Sequence, residues 1–151
     1  MSVIIATYNR GTTVVRALSS IKSQTYSDIQ VVVVDGASQD NTISVINPLL
    51  GNNDILQSEP DLGIYDALNK GLALAEGEIL AFLHSDDLYF DNNVISEVVQ
   101  AFSDDSVDVV YGDVCFFSGS NVKKIRRRYR SDKLSEGNLA WGKMPAHPAI
   151  F

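Results

Sequence analysis

The chain has 151 residues, with 12 Lys plus Arg against 19 Asp plus Glu and a net charge of −7. That length suits one domain, and an apolar content of 45% with 21% charged residues excludes wholesale disorder. The acidic balance excludes a general attraction to nucleic acid, and Cys115, the single cysteine, excludes an internal disulfide framework and a multi-cysteine zinc site.

The first strand is expected over residues 3–6, a run too short for a signal-peptide core and without a basic residue before it. Val14, Leu18 and Ile21 then recur at helical spacing, with Thr12 or Thr13 as N-cap. Residues 31–34 are four consecutive valines. A strand without alternation is what a parallel sheet covered on both faces requires. A short helix over 40–50 and a third strand over 54–57 follow. Ile64, Leu68, Gly71, Leu72 and Ala75 mark one face of a further helix, with Gly77 as its C′ residue. A fourth strand is expected over 79–83. Asp91 is then placed to cap a helix with Val94, Val98 and Phe102 inward, ahead of a fifth strand over 107–111. This alternation predicts an α/β fold, a Rossmann-like three-layer sandwich with a mostly parallel central sheet.

Beyond Gly112 the pattern changes. Residues 114–117 and 122–129 read as extended, with a turn at Gly119. Strict alternation would put Lys123, Ile125, Arg127 and Tyr129 on one face of the second segment and Lys124, Arg126, Arg128 and Arg130 on the other. This basic block suits an edge strand that resists aggregation, or contact with an anionic acceptor, a phospholipid headgroup or RNA. Cys115 reads as a buried small hydrophobe. No apolar run approaches the roughly 20 residues of a membrane helix, so the expected location is cytoplasmic, compatible with the inner face of the membrane.

In open α/β sheets ligands bind beyond the carboxyl ends of the strands. The strand exits carry Thr7-Tyr8-Asn9-Arg10, Asp35-Gly36-Ala37-Ser38, Glu59-Pro60-Asp61, His84-Ser85-Asp86-Asp87 and Gly112-Asp113. Neither a P-loop nor a dinucleotide glycine fingerprint follows the first strand, and no nucleophile elbow is present. Asp86 and Asp87, with His84 nearby, offer hard ligands to Mg²⁺ or Mn²⁺, which typically take one or two protein carboxylates and fill their shells with phosphate and water oxygens. The same Ser-Asp-Asp chemistry also makes turns. Asp35 suits a hydrogen bond to a nucleobase or ribose, or an Asx-turn. Asp66 and Lys70 have the i, i+4 spacing of a surface ion pair.

The segments Val3-Ile4-Ile5-Ala6-Thr7-Tyr8-Asn9-Arg10, Val34-Asp35-Gly36-Ala37-Ser38-Gln39-Asp40, Ser58-Glu59-Pro60-Asp61 with Gly63-Ile64-Tyr65-Asp66-Ala67 and Asn69-Lys70-Gly71, and Leu83-His84-Ser85-Asp86-Asp87 stand in an order and spacing that resembles family 2 glycosyltransferases. The resemblance implies a GT-A fold and inverting transfer of a sugar from a nucleotide-diphospho-sugar, most often UDP-linked, to a saccharide or lipid-linked acceptor in surface polysaccharide assembly. It assigns Thr7, Tyr8, Asn9, Asp35, Asp61, Asn69, Lys70 and Asp86 to the donor nucleotide. It assigns Asp87 and Asp86 to Mn²⁺ or Mg²⁺; His84, a further candidate ligand by its place beside them, departs from the family, which more often has Asp or Asn there. Residues 1–113 are then the donor-binding portion and 114–151 the start of an acceptor-side portion within one structural domain, with the general base expected beyond Phe151. The alternative is a non-catalytic nucleotide-sugar-binding fragment lacking that base.

Overall fold

A computed structural model describes residues 1–118, 121–132 and 144–151. Strand β1 (Ser2–Thr7) leads through α1 (Val14–Lys22) to β2 (Gln30–Asp35). Helix α2 (Thr42–Ile46) runs into a 3₁₀ turn (Asn47–Leu49) before β3 (Ile55–Ser58). Helix α3 (Ile64–Leu74), β4 (Leu80–Phe82) and α4 (Val94–Ala101) follow. The sheet is parallel, in the order β3-β2-β1-β4. Strands β5 (Val114–Ser118) and β6 (Asn121–Tyr129) form a separate antiparallel pair.

The valine run behaves as its lack of alternation requires. Val31 and Val33 pack with Val3, Ile5 and residues of α1, α2 and α4 such as Leu18, Ile46 and Ile95, while Val32 and Val34 pack with Ile4, Ala67 and Leu68 on the α3 side. Both faces are covered, giving three layers. Full burial of one such side chain contributes about 1.5–3 kcal/mol, so this doubly covered centre dominates stability. At Gly71 of α3 an added Cβ would collide with Ile4, and its absence lets the helix lie close on the sheet.

Several local expectations change. Thr13 is the N-cap of α1, yet its hydroxyl makes no capping bond and donates to the Arg10 carbonyl. The buried face of α3 is Ala67, Leu68 and Gly71; Ile64 and Leu72 are exposed because the helix is rotated toward the sheet. Gly77 is not a left-handed C′ cap. The helix ends at Leu74, and Gly77 is small because a Cβ there would lie 2.5 Å from the Met1–Ser2 backbone. Asn93, not Asp91, caps α4, Asp91 accepts the Asn93 N–H at 2.8 Å, and Ile95 with Val98 faces inward. Cys115 is half-buried.

The largest correction concerns residues 107–111, which form no strand. Val110 exchanges both backbone hydrogen bonds with Phe151 (3.1 and 2.9 Å), and Gly112 N–H donates to the Ala149 carbonyl at 2.9 Å. The segment is thus paired antiparallel with residues 149–151, Tyr111 opposite Ile150, and Phe151 stacks on Tyr89 with ring centroids 6.4 Å apart. The turn expected at Gly119 lies outside the described residues. No helix among them is long and apolar enough to cross a membrane.

Candidate active site

The sheet reverses its winding at β1. The chain moves outward from β1 to β2 and β3, then returns to place β4 on the other side of β1. In such sheets the usual ligand position is at that reversal, beyond the carboxyl ends of the strands.

Asp35, at the end of β2, is fully buried. Its carboxylate accepts from Ser38 N–H at 2.8 Å, from the Ser38 hydroxyl, and from the Ser58 hydroxyl at 2.7 Å. Ser38 Oγ in turn accepts from Asn9 N–H at 2.8 Å, and Asn9 Oδ1 accepts from Gln39 N–H at 2.8 Å. One carboxylate thus ties together the exits of β1, β2 and β3. Asn9 and Ala37 adopt left-handed backbone conformations, φ 51° and 61°, a cost that persists only where surrounding contacts over-determine the loop. Ser38 and Ser58 were not singled out from the sequence, since a serine near a strand end carries no signal until its partner is known.

Over this network lie Tyr8, more than half exposed, and Asp61. A Cβ at Gly36 would sit 2.6 Å from Asp61 Oδ2 and 3.4 Å from Tyr8 Cδ2. The bare Gly36 backbone is therefore what lets Asp61 and Tyr8 converge from two other exits. Thr7, the last residue of β1, is buried and its hydroxyl has no hydrogen-bond partner.

Lys70 meets Glu59 Oε1 at 2.8 Å, Asp66 Oδ2 at 3.2 Å and the Pro60 carbonyl at 3.1 Å. The i, i+4 pair read from sequence is present, but its lysine also reaches across to the loop that carries Asp61. Asp66 accepts the Leu62 N–H, and Asp61 that of Gly63. Hydrogen bonding to Lys70 lowers the pKa of Glu59 and raises that of Lys70; Asp66 is lowered chiefly by the Leu62 N–H. Asn69 lies exposed on the same helix.

On the other side of β1, Asp87 N–H donates to the His84 carbonyl at 3.0 Å, closing the turn after β4. Asp86 is exposed and Asp87 half-buried. Desolvation, then the charge of Asp86, raises the Asp87 pKa, while His84 opposes that shift. The His84 ring lies 5.4 Å from the ring of His147, which stacks on Phe82. Among the described residues no three His, Cys, Asp or Glu side chains assemble into a metal cage. The fit for Mg²⁺ or Mn²⁺ rests instead on the adjacent carboxylates: hard oxygens whose mutual repulsion a cation would offset, in a number that phosphate oxygens would complete.

The glycosyl transferase family 2 profile matches residues 2–148. The chain belongs to this family. A PGL/p-HBAD biosynthesis glycosyltransferase of Mycobacterium tuberculosis is 38% identical over 117 residues, covering 75% of this chain and 46% of the relative. An uncharacterized glycosyltransferase of Nostoc is 33% identical over 141 residues, covering 90% of this chain and 43% of that protein. The chain thus spans about half the length of the curated relatives it matches. Among solved structures, Staphylococcus aureus TarS 1-349 with UDP-GlcNAc aligns with TM-score 0.71 and 27% identity over 80% of this chain and 36% of that one. The Pyrobaculum calidifontis mannosyltransferase PcManGT with GDP-Man and Mn²⁺ aligns with TM-score 0.67 and 32% identity, over 74% and 34%. The family 2 fold is thus a GT-A fold, and its parallel sheet is the one described above.

Proposed function

We propose that this chain is the donor-binding part of an inverting family 2 glycosyltransferase using a UDP-linked sugar. The observation that carries the reading is the convergence of Tyr8, Gly36 and Asp61 above a buried Asp35 network, with Asp86 and Asp87 across the winding reversal. The bound UDP-GlcNAc of TarS supports a UDP-linked donor, and the GDP-Man and Mn²⁺ of PcManGT support the coarser reading of a nucleotide-sugar and cation site.

In this reading Thr7, Tyr8, Asn9 and Asp61 hold the nucleoside over Gly36, with the orphaned Thr7 hydroxyl as a ready hydrogen-bonding group. Asp35 positions the loops through Ser38 and Ser58, because its carboxylate is already engaged. Asn69 and Lys70 lie on the donor side, Lys70 fixing the loop of Asp61. Asp86 and Asp87 face the diphosphate and hold the cation. A divalent cation there supplies positive charge against the negative charge that develops as the nucleoside diphosphate leaves. Residues 1–113 are the donor portion and 114–151 begin the acceptor side, where a saccharide or lipid-linked acceptor in surface polysaccharide assembly is met. The lone cysteine and the exposed Lys124, Arg126, Arg127 and Arg130 support a cytoplasmic protein touching the inner membrane face.

A second reading, binding without turnover by these 151 residues, is favoured by their span of under half the relatives' length. Titration calorimetry with UDP, with and without Mn²⁺, tests the donor site, and binding in neither condition would remove it. Donor hydrolysis or sugar transfer then separates an active chain from a binding one.

A further inference from the structure

Two imidazoles from distant parts of the chain meet at the seam between β4 and residues 147–149. His84 stands at the β4 exit, where Leu83 N–H donates to the Ile4 carbonyl at 3.0 Å and Asp87 N–H donates to the His84 carbonyl at 3.0 Å. His147 opens the 3₁₀ turn His147–Ala149, which is held in place by the bond from Gly112 N–H to the Ala149 carbonyl and by the pairing of Phe151 with Val110. The two histidine ring centroids lie 5.4 Å apart with planes inclined by 37°, and His147 stacks on Phe82 at 5.5 Å. Both backbones are fixed by hydrogen bonds, so the rings are brought together before any ligand arrives. Neither imidazole is in an ion pair among the described residues.

Their separation suits a single metal ion. A metal–nitrogen bond of about 2.0–2.1 Å puts an ion about 3.2 Å from the centre of the imidazole that holds it. Ring centroids 5.4 Å apart then subtend about 115° at that ion, close to a tetrahedral angle. Among the described residues no third His, Cys, Asp or Glu assembles with the pair. The remaining positions of a tetrahedron would therefore fall to water or to an oxygen from outside the chain. Asp86 and Asp87 follow in the same turn, and Asp87 feels the charge of His84, so their field favours a cation here without their serving as ligands.

Imidazole nitrogens rank cations differently from carboxylate oxygens. Zn²⁺, Co²⁺ and Ni²⁺ bind imidazole well, whereas Mg²⁺ takes oxygen ligands and keeps its water. We propose that His84 and His147 together bind a first-row transition-metal cation of the imidazole-binding kind, such as Zn²⁺, which ties residues 147–149 to the β4 exit. This site goes beyond the donor reading, in which a hard cation is held by Asp86 and Asp87, and stands without it.

The test titrates Zn²⁺ alone into the 151-residue chain by calorimetry, with Mg²⁺ as control and the imidazole nitrogen resonances followed by NMR. Zn²⁺ should bind about tenfold or more tightly than Mg²⁺. It should also move the nitrogen resonances of both histidines and raise the melting temperature, because it binds the folded chain. His147→Phe keeps an aromatic ring against Phe82 but removes the nitrogens, which separates ligation from stacking. This variant should lose about tenfold or more in Zn²⁺ affinity while its metal-free melting temperature stays level, and His84→Ala should lose as much. Asp87→Ala should change Zn²⁺ affinity by no more than about threefold, since its charge acts from outside the ligand set. Equal Zn²⁺ affinity in wild type and His147→Phe, or a response from one ring alone, would overturn the proposal. So would an Asp87→Ala loss as large as that of His147→Phe, which would give the ion to the acidic turn. Failure of UDP to bind would strike the donor reading and leave the histidine site untouched.

Discussion

The two sides of the winding reversal are built on opposite principles. On the β2 side, Asp35 is buried and its carboxylate accepts three hydrogen bonds from Ser38 and Ser58, so the loops it joins are held before any ligand arrives. On the β4 side, Asp86 and Asp87 repel each other on a short turn, and burial further disfavours the Asp87 charge. One side is preorganised by its own hydrogen bonds; the other is electrostatically unfinished. A nucleotide site benefits from both, because rigid loops spare the cost of ordering on binding, while uncompensated carboxylates create the demand for a cation.

The sharpest way to break this contrast is Asp35→Ala. It leaves two hydroxyls and an N–H of a buried network without their acceptor, so it should cost about 3 kcal/mol of stability and abolish UDP binding. A thermal melt alongside calorimetry checks both, and an unchanged melting temperature would show that the network does not hold the loops. Asp87→Ala should behave in reverse. The Mn²⁺-dependent part of UDP affinity should fall about tenfold or more, a loss of roughly 1.4 kcal/mol per tenfold, while the melting temperature stays level or rises because an unfavourably placed charge is removed. If UDP affinity keeps its full Mn²⁺ response, Asp87 is not the ligand.

Smaller effects belong to the loop between the two sides. Lys70→Met removes the link from α3 to Glu59 and Pro60. UDP affinity should drop about threefold with little change in stability, since solvent screens exposed ion pairs. A drop as large as that of Asp35→Ala would instead show Lys70 touching the nucleotide.

The smallest expected effect is that of pH on this same clamp. Glu59 and Asp66 are lowered from 4.5 and 3.8, so their contribution is present above those values and fades as pH falls through the lower folded ones. Lys70 is raised from 10.5, so its contribution is complete below that value and fades only above it. Wild type and Lys70→Met should therefore differ by a constant ratio in UDP affinity between pH 4.5 and 10.5 and converge in acid. A ratio that changes near neutrality would require another titrating group.

Much of this frame was legible in the residues because it depends on local pattern. Four valines without alternation demand cover on both faces, and polar residues at the end of each hydrophobic run mark the sheet edge where a site would form. The position of Asp61 beside Gly36 was less legible, because it depends on the path of α3 back over the sheet. The fifth strand failed for a related reason. Residues 107–111 have suitable side chains, but the pairing partner is set by the fold, and Val110 and Gly112 bond antiparallel to residues 149–151.

The amino-acid order by itself determined the layers, the parallel sheet and the collection of acidic groups at one edge, since hydrophobic period and strand length are properties of short stretches. Only the tertiary structure decided that Asp35 turns inward to Ser38 and Ser58, that Lys70 holds the loop of Asp61, and that an irregularity in the β5–β6 pairing breaks the strict alternation of β6. Those outcomes depend on which distant donor reaches which acceptor, and burial leaves a polar group little choice but the partner that folding brings beside it.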